Sequence, residues 1–106
     1  MTSAIVVLVT APDARTAKRL AEALVGERLA ACVTALPGAA STYRWKGKVE
    51  RAKETVLVIK TRKSLAKRLE RRVRELHPYE VPEFLAIPVA AGGRSYLEWI
   101  GESTRS

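Results

Sequence analysis

The chain has 106 residues, of which 47% are hydrophobic and 28% charged, a composition that excludes intrinsic disorder and predicts one globular domain spanning residues 1–106. The longest apolar stretch near the start, residues 4–9, is far shorter than the roughly 20 residues that cross a bilayer, and no secretory signal is visible, so we expect a cytoplasmic protein with no membrane partner. The net charge of +8 favours an acidic partner such as nucleic acid or phosphate, and a single cysteine excludes an intrachain disulfide.

The first two elements are predicted to be a strand and a helix. Residues 4–9 are all apolar and mostly β-branched, which is typical of a strand buried on both faces. Asp13 follows this strand and can cap a helix that ends near Gly26. Apolar side chains recur at helical spacing on one face of that segment, namely Ala17, Leu20, Ala21, Leu24 and Val25.

The middle of the chain is predicted to form a long hairpin. The apolar run 29–36 ends at a Pro-Gly pair, and side chains alternate again from Ser41. Residues 46–48 read as the turn, so the hairpin covers Ala39 to Thr61 with arms of about 33 Å. A hairpin of that length extends beyond a domain of this size.

The last third of the chain is predicted to hold a helix, a strand and a closing helix. Ser64 opens the first helix, which Pro78 terminates. The fourth strand is expected over Glu83 to Val89, and a short helix over Ser95 to Ile100. Residues 102–106 are expected to fray.

The predicted order is β-α-β-β-α-β with an appended helix. With right-handed crossovers, this order gives an α+β sandwich of the ferredoxin-like type, in which a four-stranded antiparallel sheet carries the two main helices on one face. An extra C-terminal helix and the long hairpin between the second and third strands are additions to that plan. Because this fold hosts many unrelated activities, function has to be argued from a site.

Basic residues are concentrated in the predicted helix 64–76 and the strand end before it. Between Lys60 and Glu75 there are eight basic and two acidic residues, a local charge of +6. One alternative function is therefore a nucleic-acid-binding domain that uses this helix. The third strand carries no aromatic side chain for base stacking, and a charged helix face is more often simply solvated, so nucleic acid is not the favoured partner.

Two residues, Cys32 and His77, are candidates for metal binding. They are 45 positions apart and offer no adjacent nucleophile and base, so we expect a protein that is not an enzyme. Cys32 lies in an apolar run, where a small buried hydrophobe is the alternative to a ligand. His77 precedes Pro78, where a structural role at a helix C-terminus competes evenly with a ligand role. No Cys-x-x-Cys motif is present for a soft metal ion.

The segment 76–83 combines an imidazole, a phenol and two carboxylates between two prolines, a costly composition for a plain connecting loop. With Tyr43-x-Trp45-x-Gly47, the element His77-Pro78-Tyr79-x-x-Pro82-Glu83 and the closing Tyr96-Leu97-x-Trp99-Ile100, the chain resembles the CutA divalent-cation-tolerance family from residue 6 to residue 100.

The resemblance implies a ferredoxin-like protomer in a homotrimer, similar in assembly to the PII signalling proteins. It also implies a link to tolerance of copper and other divalent cations, with no obligatory cofactor and no settled enzymatic activity. Some members carry soft-metal ligands at positions that are Val9 and Leu76 in this sequence, so copper or another divalent metal is expected to bind weakly.

We expect a ligand cleft where Trp45, Lys60, Tyr79 and Glu83 converge between subunits of that trimer. Trp45 and Tyr79 would form the apolar wall, Lys60 would favour a small anionic molecule, and Glu83 would orient a hydroxyl or a metal ion. The alternative is that the two aromatic residues only fill an interface and that Lys60 and Glu83 form an ordinary ion pair.

Overall fold

A computed structural model describes residues 2–105; Met1 and Ser106 lie outside them. The elements are β1 (Ala4–Ala11), α1 (Ala14–Gly26), β2 (Cys32–Trp45), β3 (Lys48–Arg62), α2 (Ala66–Leu76), β4 (Leu85–Pro88) and α3 (Arg94–Ser103). The four strands form one antiparallel sheet in the order β2-β3-β1-β4. The α+β class and the ferredoxin-like order predicted from the sequence are thereby confirmed.

The core lies between the sheet and the two main helices. Alternate residues of β1, from Ile5 to Ala11, are buried beneath the helices, whereas Val6, Leu8 and Thr10 on the opposite face are only half-buried. The prediction that β1 is buried on both faces is therefore wrong within one protomer, because no second layer formed by residues 2–105 covers this part of the sheet. Asp13 caps α1 as predicted, because its Oδ1 accepts a hydrogen bond of 2.8 Å from the Thr16 amide. The same hydrogen bond lowers the pKa of Asp13. The helices contribute the buried side chains Ala17, Leu20, Leu24, Leu69 and Val73.

The hairpin of β2 and β3 is longer than predicted, since its pairing runs from Cys32 opposite Lys60 to Trp45 opposite Lys48. A β-bulge between Leu36 and Ala39 accommodates the Pro37-Gly38 pair. The turn residues Lys46 and Gly47 both have positive φ, at 50° and 80°, which is the conformation that a two-residue hairpin requires. Because β1 pairs with β3 only from Thr55 onward, the distal hairpin extends past the sheet, and the molecule measures 44 × 25 × 23 Å.

Three predicted boundaries were wrong. A 3₁₀ turn (Lys63–Leu65) precedes α2, and Ser64 accepts a hydrogen bond from Arg62 instead of capping the helix. β4 covers Leu85–Pro88 rather than residues 83–89, because β1 offers it a ladder of only four residues. The tail is ordered through Arg105: α3 continues to Ser103 and Thr104 is buried, with Arg62 hydrogen-bonded to its hydroxyl and carbonyl at 2.9 Å each.

Candidate ligand cleft

An open cleft of about 620 Å³ lies between the distal hairpin and the loop that follows α2. The hairpin supplies one wall, and the loop of residues 77–84, here called the prolyl loop, supplies the other. Thr10, near the end of β1, also lines the cleft. The lining residues are Thr10, Ser41, Thr42, Tyr43, Trp45, Glu54, Tyr79, Glu80, Val81, Pro82 and Glu83. Three of the four residues predicted for the cleft, Trp45, Tyr79 and Glu83, are therefore brought together.

His77 holds the prolyl loop against the sheet. It follows α2 and is 7% exposed, and its Nε2 lies 2.6 Å from the carbonyl oxygen of Thr10. The Tyr79 amide donates a hydrogen bond of 3.1 Å to His77 Nδ1. Since Nδ1 accepts that bond, Nε2 carries the proton of the neutral ring and donates to Thr10. Both ring nitrogens are thus engaged in positioning Tyr79.

Tyr79 and Glu54 form the polar centre of the cleft. The Tyr79 hydroxyl donates a hydrogen bond of 2.8 Å to Glu54 Oε2, and Glu54 is only 8% exposed. Burial, followed by the hydrogen bond to the Glu54 carboxylate, raises the pKa of Tyr79 to about 12. The phenol therefore stays protonated as a donor throughout the neutral range.

The lining of the cleft carries three carboxylates, those of Glu54, Glu80 and Glu83, and contains neither lysine nor arginine among residues 2–105. Lys60 is not among the residues that line this cleft within one protomer. Its Nζ donates to Thr34 Oγ1 at 2.7 Å and lies 3.6 Å from Cys32 Sγ, on the strand pair β2–β3. Both walls of the cleft consequently combine acidic and aromatic side chains, Glu54 with Tyr43 and Trp45 on the hairpin and Glu80 and Glu83 with Tyr79 on the loop.

Sequence reasoning missed Glu54, the most buried carboxylate of the cleft. Glu54 immediately precedes the apolar strand segment 55–59, a position that looks like an ordinary polar start of a strand. Its hydrogen-bond partner in the cleft, Tyr79, lies 25 positions further along the chain. The one available signal was an acidic residue placed directly against an apolar run.

Comparison with known proteins supports the resemblance seen in the motifs. A family model described as CutA1 divalent ion tolerance protein matches residues 5–103. The chain belongs to the CutA1 divalent ion tolerance family. The divalent-cation tolerance protein CutA of Thermus thermophilus is 50% identical over 99 residues, which cover 93% of this chain and 96% of that protein.

Other CutA proteins extend the comparison. The chloroplastic protein CutA of Arabidopsis thaliana is 48% identical over 96% of this chain, and the chain spans about half (56%) of that longer protein. The crystal structure of CutA from Xylella fastidiosa has a TM-score of 0.96 at 43% identity and covers 98% of this chain and 100% of the Xylella chain. The fold of this CutA1-family chain is thus that of its solved relatives.

The two predicted metal ligands of this CutA1-family chain lie apart. His77 contacts Thr10 of β1. Cys32 lies opposite Lys60 of β3, and Lys60 lies opposite Val6 of β1. Thr10 and Val6 are four residues apart along β1, which corresponds to about 13 Å of strand. Cys32 is half-buried rather than the buried hydrophobe expected. Within residues 2–105 no group of three or more His, Cys, Asp or Glu side chains is placed to hold a metal ion.

One basic side chain of α2, Arg72, forms ion pairs. The Arg72 guanidinium donates two hydrogen bonds of 2.9 Å to the Glu27 carboxylate and one of 3.3 Å to the Glu75 carboxylate. The hydrogen bond from Arg72 lowers the pKa of Glu27. Lys67, Arg68, Arg71 and Arg74 stay exposed to solvent. Nucleic-acid binding by this helix stays a prediction.

The sheet face turned away from α1 and α2 is largely apolar; α3 packs over its end at Ala4 and Arg62, and the remainder is uncovered within residues 2–105. Cross-strand partners share a face of the sheet. Val6 lies between Ile87 of β4 and Lys60 of β3. Leu8 lies between Leu85 of β4 and Val58 of β3. Exposure of the large apolar side chains on this open face is high: Leu36 51%, Leu85 57% and Ile87 46%. Among residues 2–105, no helix is long and apolar enough to cross a membrane.

Proposed function

We propose that this protein is a homotrimer, PII-like in assembly, that contributes to divalent-cation tolerance by binding a small ligand or a metal ion rather than by catalysing a reaction. The apolar open face of the sheet carries the proposal. Monomeric proteins rarely leave a contiguous apolar surface of this kind in water, and copies of the same chain are the simplest cover for it. Membership of a family named for cation tolerance supports the biological role.

Unpaired strand edges support association as well. β4 forms one edge of the sheet with four exposed residues, and within residues 2–105 no further strand pairs with the distal half of the hairpin. Exposed edges of this type are normally paired or covered. Neighbouring subunits would provide that cover in a closed ring.

The cleft lies next to the proposed interface. Thr10 lines the cleft and alternates with the buried residues Val9 and Ala11, so its side chain belongs to the open face of the sheet. A subunit that covers the open face would therefore stand beside Trp45 and the prolyl loop. We infer that each cleft lies between two subunits of the trimer.

The acidic lining favours a cation in the cleft. The sequence-based expectation of a small anion depended on Lys60, which binds Thr34 and does not reach the cleft. A dedicated copper site would need more imidazole or thiolate ligands than His77 and Cys32, which lie apart. Metal binding is accordingly proposed as weak, and the cytoplasmic location stays a prediction.

Native mass spectrometry tests the assembly and reports any retained ligand at the same time. Ile87→Lys places a charge on the open face, and Val25→Lys is the matched control, because Val25 is similarly exposed (42% against 46%) but lies on α1. We expect a trimer for the wild type and for Val25→Lys, and smaller species for Ile87→Lys. A monomeric wild type at micromolar concentration would contradict the proposal.

A further inference from the structure

We propose that the cleft binds a small organic cation, an alkylammonium or alkylguanidinium group, with its charge on Glu54 and its apolar part against the rings of Trp45 and Tyr79. This inference rests on the proposed function of the cleft as a ligand site and specifies the class of its ligand.

Glu54 is a buried carboxylate without a cationic partner among the described residues. The residue is 92% buried, and no lysine, arginine or histidine nitrogen among residues 2–105 lies within 4.0 Å of its carboxylate. A carboxylate removed from water is costly unless a cation or several hydrogen bonds compensate it. Its single side-chain partner is the Tyr79 hydroxyl, a neutral donor. A bound cation would supply the missing compensation.

The free oxygen of Glu54 is accessible from the cleft. Oε2 receives the Tyr79 hydroxyl, and no hydrogen bond reaches Oε1 within the described chain. Every fully buried side-chain oxygen among those residues does have a partner, so Oε1 keeps a small accessible surface, and Glu54 lines the cleft. We infer that a ligand N–H group donates to Oε1 and leaves the hydrogen bond from Tyr79 in place.

The aromatic walls distinguish an organic cation from a bare metal ion. Tyr43, Trp45 and Tyr79 line the same cleft as Glu54. Aromatic faces attract ammonium and guanidinium groups and also pack against alkyl chains. A divalent metal ion needs several converging oxygen or nitrogen ligands, and no group of three acidic, histidine or cysteine side chains in residues 2–105 is suitably placed.

Within one protomer, no lysine or arginine of residues 2–105 lines the cleft. Lys46 Nζ lies 5.7 Å from the centroid of the Trp45 ring, within the range of a cation–π contact, but Lys46 does not line the cleft. The cleft volume of about 620 Å³ is within the usual range for small-molecule sites. Glu83, on the opposite wall, adds negative potential for a second donor of the ligand.

Four probes of similar size test the charge preference: butylammonium, butylguanidinium, neutral butyramide and anionic butyrate. Trp45 fluorescence reports binding in a Trp99→Phe background, which leaves one tryptophan. We expect both cations to bind at least tenfold more tightly than butyramide, and butyrate to bind most weakly. Equal affinities for the cations and butyramide would overturn the inference.

Glu54→Gln tests the residue, since glutamine keeps the shape and can still accept from Tyr79. We expect cation affinity to fall at least tenfold, while Glu70→Gln, a change to an exposed carboxylate on α2, leaves it unaltered. Unchanged affinity in folded Glu54→Gln would refute the role of Glu54. A trimer that binds none of the four probes would overturn this inference and leave the proposed assembly intact, whereas a wild-type monomer would contradict the assembly itself.

Discussion

Removing the Tyr79 hydroxyl is expected to destabilise the protein by more than the removal of an exposed tyrosine hydroxyl does. In Tyr79→Phe the 92%-buried Glu54 carboxyl loses the one side-chain hydrogen bond, of 2.8 Å, that it has among residues 2–105. A hydrogen bond to a charged group is worth about 1.5–3 kcal/mol, and we expect a loss of unfolding free energy in that range. Tyr43→Phe is the matched control, because Tyr43 lines the same cleft, is 44% exposed and makes no side-chain hydrogen bond within residues 2–105. Its effect should stay within about 0.5 kcal/mol.

Urea unfolding at one fixed protein concentration measures both variants, since assembly links stability to concentration. Combining Tyr79→Phe with Glu54→Gln gives the coupling energy of the pair. We expect the two losses to be less than additive, because Glu54→Gln removes the charge that makes the missing hydrogen bond costly. If Tyr79→Phe is no more damaging than Tyr43→Phe, the buried pair does not stabilise the fold and the reasoning fails.

The same pair makes a prediction about alkaline pH. The pKa of Tyr79 is raised from 10.0 to about 12 in the folded protein, so the fold favours the protonated phenol. This contribution to stability is complete below pH 10 and is lost as the pH rises from 10 towards 12. Titration of the phenolate absorbance should show one tyrosine ionising last, and that step should disappear in Tyr79→Phe. A Tyr79 that titrates with the other tyrosines would contradict the burial argument.

Three further predictions concern metal binding, the C-terminus and the glycines. Calorimetry with Cu(II) should give a dissociation constant of roughly micromolar or weaker, unchanged in His77→Gln; a sub-nanomolar site would contradict this. Thr104→Ala should lower the unfolding free energy by about 1 kcal/mol, because Arg62 loses its hydrogen bond to the hydroxyl; a variant as stable as the wild type would exclude that anchoring role. Gly47→Ala, at φ +80°, should destabilise the hairpin by about 1–2 kcal/mol, whereas Gly101→Ala, in α3 with open space around it, should stabilise by roughly 0.5–1 kcal/mol. Equal effects of the two glycine substitutions on urea unfolding would refute the backbone argument.

The candidate site could be predicted in part. Trp45, Tyr79 and Glu83 stand in segments whose prolines, glycine and aromatic residues mark them as more than connecting loops, and the structure places all three around one cleft. Lys60 was assigned to it because it ends a strand near the basic patch. The register of β2 and β3 instead puts Lys60 opposite Cys32, where Thr34 Oγ1 accepts its hydrogen bond.

The order of strands and helices could be read from the sequence by itself, because hydrophobic periodicity and local caps act within a few residues. β1, α1 with its Asp13 cap and the turn at Gly47 are of that kind. Only the tertiary structure decided the features that depend on distant partners. The length of β4 is set by its ladder with β1. The position of Thr104 depends on a hydrogen bond from Arg62, 42 positions away. Glu54 is hydrogen-bonded to Tyr79 only once the prolyl loop folds back over the hairpin. Local sequence patterns carry no information about such partners, since the contacts join residues that only the packed chain brings together.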